Sequence, residues 1–211
     1  MRIIAGTFKS RKLLAPTGMG TRPTTDRARE TLFNVLNNLI DFSGIRVLDL
    51  FAGSGALALE AISRGAGQAT LVERNAKAIH AAKENIRELG IEDRVNITSL
   101  DVFRYLKSPP SLEGETFDLI FADAPYDEAR ALSELPALIL GNGWLAMGGI
   151  CAIEHRSSAK PVIPKTARII RELKVGEAGF TILDNGGMGF ETPPLPLSNC
   201  KGEGFLSAHD S

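Results

Sequence analysis

The stretch Val47-Leu48-Asp49-Leu50-Phe51-Ala52-Gly53-Ser54-Gly55 limits what this chain can become more than any other. The apolar run from Ile45 to Leu50 reads as a buried parallel strand. The small residues after it let the backbone turn sharply into an alanine-rich helix starting near Ala56. Gly53 and Gly55 can take positive φ and place no Cβ in the way, so a flat or anionic ligand can approach the loop backbone and the helix N-terminus. The period then repeats. Strands are expected over residues 68–73, 95–100, 117–122 and 149–154, with helices over 75–89, from Asp101 through Leu106, and through 132–140. Strands separated by helices of about ten to fifteen residues mean βαβ units and a mainly parallel sheet with helices on both faces. Residues 169–175 and 179–183, joined through Gly176, read as a closing antiparallel pair, which brings the sheet to seven strands.

Ahead of this α/β unit, residues 2–14 alternate as a strand or hairpin would, and 15–20 read as a loop. A Thr or Asp N-cap predicts a helix start near Thr25 or Asp26. Its core stripe is Leu32, Phe33, Leu36, Leu39 and Ile40, with Arg22, Arg27 and Arg29 presented elsewhere. From Met1 to Arg46 the chain carries eight Lys or Arg against three acids, and the remainder 16 against 22, so a basic arm sits on an acidic body whose total charge is −1. That asymmetry is the footprint of a phosphate-contacting extension. The expected organisation is a basic extension at 1–44, a ligand-binding catalytic domain at 45–184 and a disordered tail at 185–211, rich in Gly, Pro and Ser. No apolar run reaches the roughly 20 residues that span a bilayer, and the N-terminus lacks a signal-peptide core, so the expectation is a cytoplasmic protein without a membrane role. Cys151 and Cys200 are too few and too far apart for a disulfide framework, and three histidines leave little from which to build a zinc site; no metal is expected.

Asp49 narrows the ligand. A dinucleotide site wants G-x-G-x-x-G, of which only the first glycine pair is clear here, and a carboxylate at that strand end would repel a pyrophosphate. It suits a cation better. The motif D-x-F-A-G-S-G resembles the first motif of the Rossmann-like S-adenosylmethionine-dependent methyltransferases (class I), which implies that Asp49, Phe51, Gly53 and Gly55 surround the methionine end of the cofactor. Two more acids close the next two strands. Glu73, followed by Arg74, can accept both ribose hydroxyls of an adenosine, and Asp101 can accept the adenine amino group while Val102 offers its N–H to a ring nitrogen. Three carboxylates at three successive strand ends are hard to dismiss as solvated termini.

The fourth strand ends in Asp123-Ala124-Pro125-Tyr126, which resembles the D-P-P-Y motif of methyltransferases that modify exocyclic amino groups of bases. An aryl amine is a poor nucleophile because its lone pair is delocalised into the ring. The Asp123 carboxylate and the backbone carbonyl of Ala124 could hydrogen-bond its two hydrogens and favour a tetrahedral nitrogen, with Tyr126 stacked on the base. Ala124 departs from the usual proline, which costs rigidity and not the acceptor. Taken with Arg2-Ile3-Ile4-Ala5-Gly6 and the run from Arg22 through Arg27 to Asn34, the chain resembles the bacterial 16S (small-subunit) ribosomal RNA guanine-N2 methyltransferases. The resemblance implies the use of S-adenosylmethionine to methylate N2 of one guanine in ribosomal RNA or the small subunit; a monomer is the separate expectation. Arg2, Lys9, Arg11, Arg22 and Arg27 are the candidate RNA contacts. Other targets remain open: adenine N6 in DNA, a protein glutamine, or a non-catalytic RNA-binding assembly factor with the same fold. An NAD-dependent oxidoreductase is disfavoured by the glycine pattern and Asp49.

Overall fold

The computed structural model describes residues 1–16, 25–108, 110, 116–125 and 128–186. Arg22, Tyr126, most of the 108–115 linker and the tail beyond Gly186 lie outside them. In chain order the elements are α1 (Asp26–Leu36), β1 (Arg46–Leu50), α2 (Ala56–Ser63), β2 (Gln68–Glu73), α3 (Ala76–Leu89), β3 (Val95–Ser99), α4 (Val102–Lys107), β4 (Phe117–Ala122), α5 (Ala129–Gly141), β5 (Leu145–Arg156), β6 (Arg168–Val175) and β7 (Ala178–Asp184). The sheet runs β3-β2-β1-β4-β5-β7-β6, parallel from β3 to β5, with β7 antiparallel to both β5 and β6. It is the seven-stranded, mostly parallel sheet expected. Strand β5 starts four residues earlier than its apolar run suggests, because Met147-Gly148-Gly149 breaks the pattern where the register against β4 shifts. α5 likewise begins earlier and contains Pro136.

The chain builds outward from β1 to β3 and then returns to lay β4 on the other side of β1. Strand order therefore reverses between β1 and β4, and the carboxyl ends of these two strands flank a crevice. Side-chain alternation divides the core. Val47, Leu119, Phe121, Ile150, Ala152 and Phe180 pack with α1 and α2 on one face. Leu48, Leu50, Ile120, Ala122, Cys151 and Ile153 pack with α4 and α5 on the other. Burial pushes the Cys151 thiol up to about 12, so it behaves as a small apolar side chain.

The N-terminal arm covers the outer side of α2. Residues 1–14 form a loop closed by one isolated antiparallel bridge, Arg2 to Lys12, instead of a regular hairpin, and Ile3 and Leu13 are buried against the sheet core. Helix α2 is almost wholly apolar and is buried along its length. Its one charged residue, Glu60, is fully buried and accepts the Ile4 and Ala5 N–H groups at 2.6 and 3.0 Å and the Arg64 Nε–H at 2.8 Å. Ser63 accepts the Phe8 N–H and donates to Ala5 O. Gly6 sits between them at φ 80°, where a Cβ would lie 1.8 Å from the Ser63 carbonyl oxygen. Gly6→Ala is therefore expected to lift the arm from α2 and destabilise the protein by about 2 kcal/mol or more, read as a lowered urea midpoint. An unchanged midpoint would mean that the arm contributes little to stability.

In α1, Thr25 accepts the Ala28 N–H as N-cap, and Leu32, Phe33 and Leu36 are buried as read from the sequence, whereas the helix ends at Leu36 and Leu39 and Ile40 pack half-buried in the turn that follows. Arg29 corrects that reading. It lies three and four residues before Leu32 and Phe33 and so falls within the buried stripe, 1% exposed. Its Nη2 donates to Arg2 O at 2.7 Å and to Asp26 Oδ1 at 2.8 Å, which ties α1 to the arm.

Candidate active site

After Leu50 the backbone enters left-handed geometry three times, at Phe51 (φ 60°), Gly53 (φ 58°) and Gly55 (φ 80°). A phenylalanine there is strained, and such strain collects where a loop is shaped for a ligand. Its ring rests edge-on against Phe103, 6.1 Å between centroids. The two glycines do different work. A Cβ on Gly55 would lie 2.8 Å from Leu71 Cδ2, so Gly55 lets α2 pack closely on β2. A Cβ on Gly53 would meet nothing nearer than the Phe51 carbonyl at 4.0 Å, so the space beside it is open to an incoming group.

Asp49 is 1% exposed, and its Oδ2 accepts the Ala58 N–H at 3.0 Å. It thereby caps the first turn of α2, which Gly55 cannot do with a side chain. Burial raises its pKa from 3.8 to about 8; the Ala58 hydrogen bond opposes the rise, and the charges of Asp123 and Glu73 add to it. Glu73 reaches across to the glycine loop: Oε2 accepts the Gly53 N–H at 2.9 Å, and Oε1 accepts the Arg74 and Asn75 N–H groups, each at 2.8 Å. A carboxylate has about four lone-pair directions, so one on Oε2 is left for a further donor. Asp101 caps α4 by accepting the Arg104 N–H, and its other oxygen pairs with Arg74 Nη1 at 2.9 Å. Val102 beside it is buried.

Asp123 follows β4 beside the end of β1, its N–H directed at Leu50 O, 3.4 Å away. Ala124 is buried and Pro125 exposed, with the Pro125 carbonyl accepting the Glu128 N–H at 2.9 Å. Asp49, Gly53, Glu73 and Asp123 thus gather at one end of the sheet. The basic candidates divide. Arg2 is exposed near Asp26, and Arg27 is exposed on α1. Arg11 donates to Glu88 O near the C-terminus of α3, and the turn carrying Lys9 is pinned near Ser63 at the end of α2. Both helices run away from the crevice, so Arg11 and Lys9 sit at the opposite end of the molecule from Asp123.

Sequence reasoning missed Asn85. Its side chain donates to Ser54 O at 3.0 Å and to Leu14 O at 3.1 Å and accepts the Leu14 N–H at 2.7 Å, so one buried amide joins the glycine loop to the arm. The available signal was a polar residue inside the buried stripe of α3, as Glu60 is inside α2.

A family model described as conserved hypothetical protein 95 matches residues 1–184. The ribosomal RNA small subunit methyltransferase D of Escherichia coli is 34% identical over 190 residues, covering 90% of this chain and 92% of the relative. The chain belongs to the conserved hypothetical protein 95 family. Among solved structures, the protein yhhF of Escherichia coli superposes with a TM-score of 0.73 at 33% identity, covering 87% of this chain and 96% of that one. The RNA methyltransferase of Salinibacter ruber, in complex with S-adenosyl-L-homocysteine, shares the fold of this family at a TM-score of 0.57 and 13% identity, over 76% of this chain and 92% of that one.

Proposed function

We propose that this family member is a ribosomal RNA methyltransferase that uses S-adenosylmethionine to methylate the exocyclic N2 of a guanine in the small-subunit RNA. The observation that carries the reading is the placement of Asp123 across the β1/β4 switch point from the Asp49–Gly53 loop, in a chain whose relative is named a small-subunit rRNA methyltransferase over nearly its whole length.

The residues fit that cofactor. Asp49 is a buried carboxyl with no cation paired to it among the described residues, Gly53 leaves open space beside the loop, and Glu73 keeps one acceptor direction where ribose hydroxyls would lie. When bound, the cofactor supplies an electrophilic methyl on a sulfonium, a leaving group that asks no metal of the protein. Asp49 balances the positive end, and Glu73 orients the ribose. Asp101 would have to share its acceptors with Arg74 and the α4 cap to reach an adenine amino group, a weaker arrangement than the strand-end position alone suggests. At the reacting nitrogen, the Asp123 carboxylate and the Ala124 carbonyl accept the two amino hydrogens and aim the lone pair at the methyl. Most of the acceleration comes from that in-line positioning. After transfer the surplus proton leaves through Asp123 or water. Arg2 and Arg27, both exposed, are the basic residues that we propose steer RNA by its phosphates.

The test is transfer of labelled methyl from S-adenosylmethionine to small-subunit RNA, or to subunits from cells lacking the protein, followed by nucleoside analysis. N2-methylguanosine is the expected product. Label in N6-methyladenosine or in protein would move the same chemistry to another amine, and cofactor binding without transfer to any of these would overturn the enzymatic reading.

A further inference from the structure

Strand β5 brings an unassigned carboxylate to the level of Asp123. The parallel register pairs Ala122 of β4 with Ile153 of β5, so one step further along each chain places Asp123 opposite Glu154. Alternation fixes the face. Phe121 and Ala152 belong to the α1–α2 side of the core and Ala122 and Ile153 to the other, so Asp123 and Glu154 both return to the α1–α2 side, the side of Asp49. Neighbouring strands lie about 4.8 Å apart. Glu154 is 7% exposed, a burial that carboxylates reach only when they have work as acceptors. The next residue shows how firmly this strand end is held. His155 Nδ1–H donates to Arg156 O at 2.8 Å, and its Nε2 accepts the Thr181 hydroxyl at 3.0 Å, because a carbonyl can only accept and so fixes the tautomer. Its ring fills the space that a Cβ on Gly179 would need, 2.6 Å away. His155 is thus occupied on the far face, and Glu154 is aimed by a rigid strand.

We infer that Glu154 reads the Watson–Crick edge of the target guanine by accepting its N1–H, beside the amino hydrogen taken by Asp123. The inference rests on the guanine reading proposed above and deepens it. Guanine presents adjacent N1–H and N2–H donors, and two carboxylates side by side match that pair. Adenine presents an unprotonated N1 next to its amine, which a carboxylate repels, so the same residue rejects the commonest competing amino base. Both carboxylates already interact within the protein, so the base enters by exchanging partners.

The experiment uses full-length protein and small-subunit RNA in which the nucleotide methylated by the wild-type protein is either guanosine or 2-aminopurine riboside, which keeps the 2-amino group and lacks N1–H. The wild type is expected to prefer guanosine by about a hundredfold or more in kcat/KM. Glu154→Gln should lose about a hundredfold on guanosine and shrink the preference to about tenfold or less, with affinity for S-adenosyl-L-homocysteine held within about threefold. Equal losses on both substrates, or a weakened S-adenosyl-L-homocysteine complex, would make Glu154 a structural residue and overturn the inference. So would a wild type that methylates both bases equally well, a result that needs no variant to fold. A wild type that yields no N2-methylguanosine from the guanosine RNA overturns the guanine reading itself.

Discussion

Replacing Asp123 with alanine is expected to lower methyl transfer by about a thousandfold or more while leaving S-adenosyl-L-homocysteine affinity within about threefold. The carboxylate is placed to act on the base and not on the cofactor, so binding and turnover should separate. A second consequence sharpens the test. The charge of Asp123 is one of the causes that raise the Asp49 pKa, so its removal lets Asp49 ionise more readily. Cofactor affinity should therefore hold or rise slightly near neutral pH. A large loss of cofactor affinity in Asp123→Ala, measured by titration calorimetry beside single-turnover rates, would place Asp123 in the cofactor site instead.

Asp49→Asn should show the opposite separation, a more stable protein that binds cofactor poorly. The folded-state pKa of about 8 lies above the ordinary 3.8, so folding favours the neutral carboxyl. The stability contributed by Asp49 is therefore complete below about pH 4 and is lost progressively as pH rises to about 8. Asparagine does not titrate, so its advantage grows across that window. At pH 8 the variant is expected to melt about 5 °C or more above the wild type, and at pH 4 close to it. Cofactor binding follows the same proton. A cationic ligand prefers the carboxylate, so wild-type affinity should increase between pH 6 and 7.5, by up to about tenfold per unit, and the variant should lose that slope along with most of its affinity. A wild-type affinity that is flat with pH, or a variant no more stable at pH 8, would contradict the role assigned to Asp49.

The parts of this molecule that could be read in advance are those whose signals are local. The β1 strand, its glycine loop and the start of α2 lie within a dozen residues, and each strand-end acid announces itself where an apolar run stops. Contacts that dock the arm join residues far apart in the chain, Ile4 with Glu60 across 56 positions and Leu14 with Asn85 across 71, and no periodicity reports them. Charge counting found the basic arm but not its direction, which is why Arg11 and Lys9 turned out to face away from the crevice. Arg29 shows a related gap: it was expected away from the core stripe, yet its spacing from Leu32 and Phe33 puts it within that stripe, held there by the Arg2 carbonyl and Asp26. Glu154 was visible as the last residue of an expected strand, but its place beside Asp123 exists only once β5 is known to lie next to β4.

The arm that wraps α2 also bears on how this protein comes apart. Glu60, buried at the centre of α2, is satisfied by two amides of the arm and by Arg64, and Asn85 hands one side of the glycine loop to Leu14. Withdrawing the first fourteen residues would leave a carboxylate short of donors inside an apolar helix and loosen the loop at the same moment. Amide hydrogens of the arm and of α2 should therefore exchange together, as one cooperative unit, and a chain begun at residue 45 should be a poor minimal catalytic unit even though the alternating strands and helices start there.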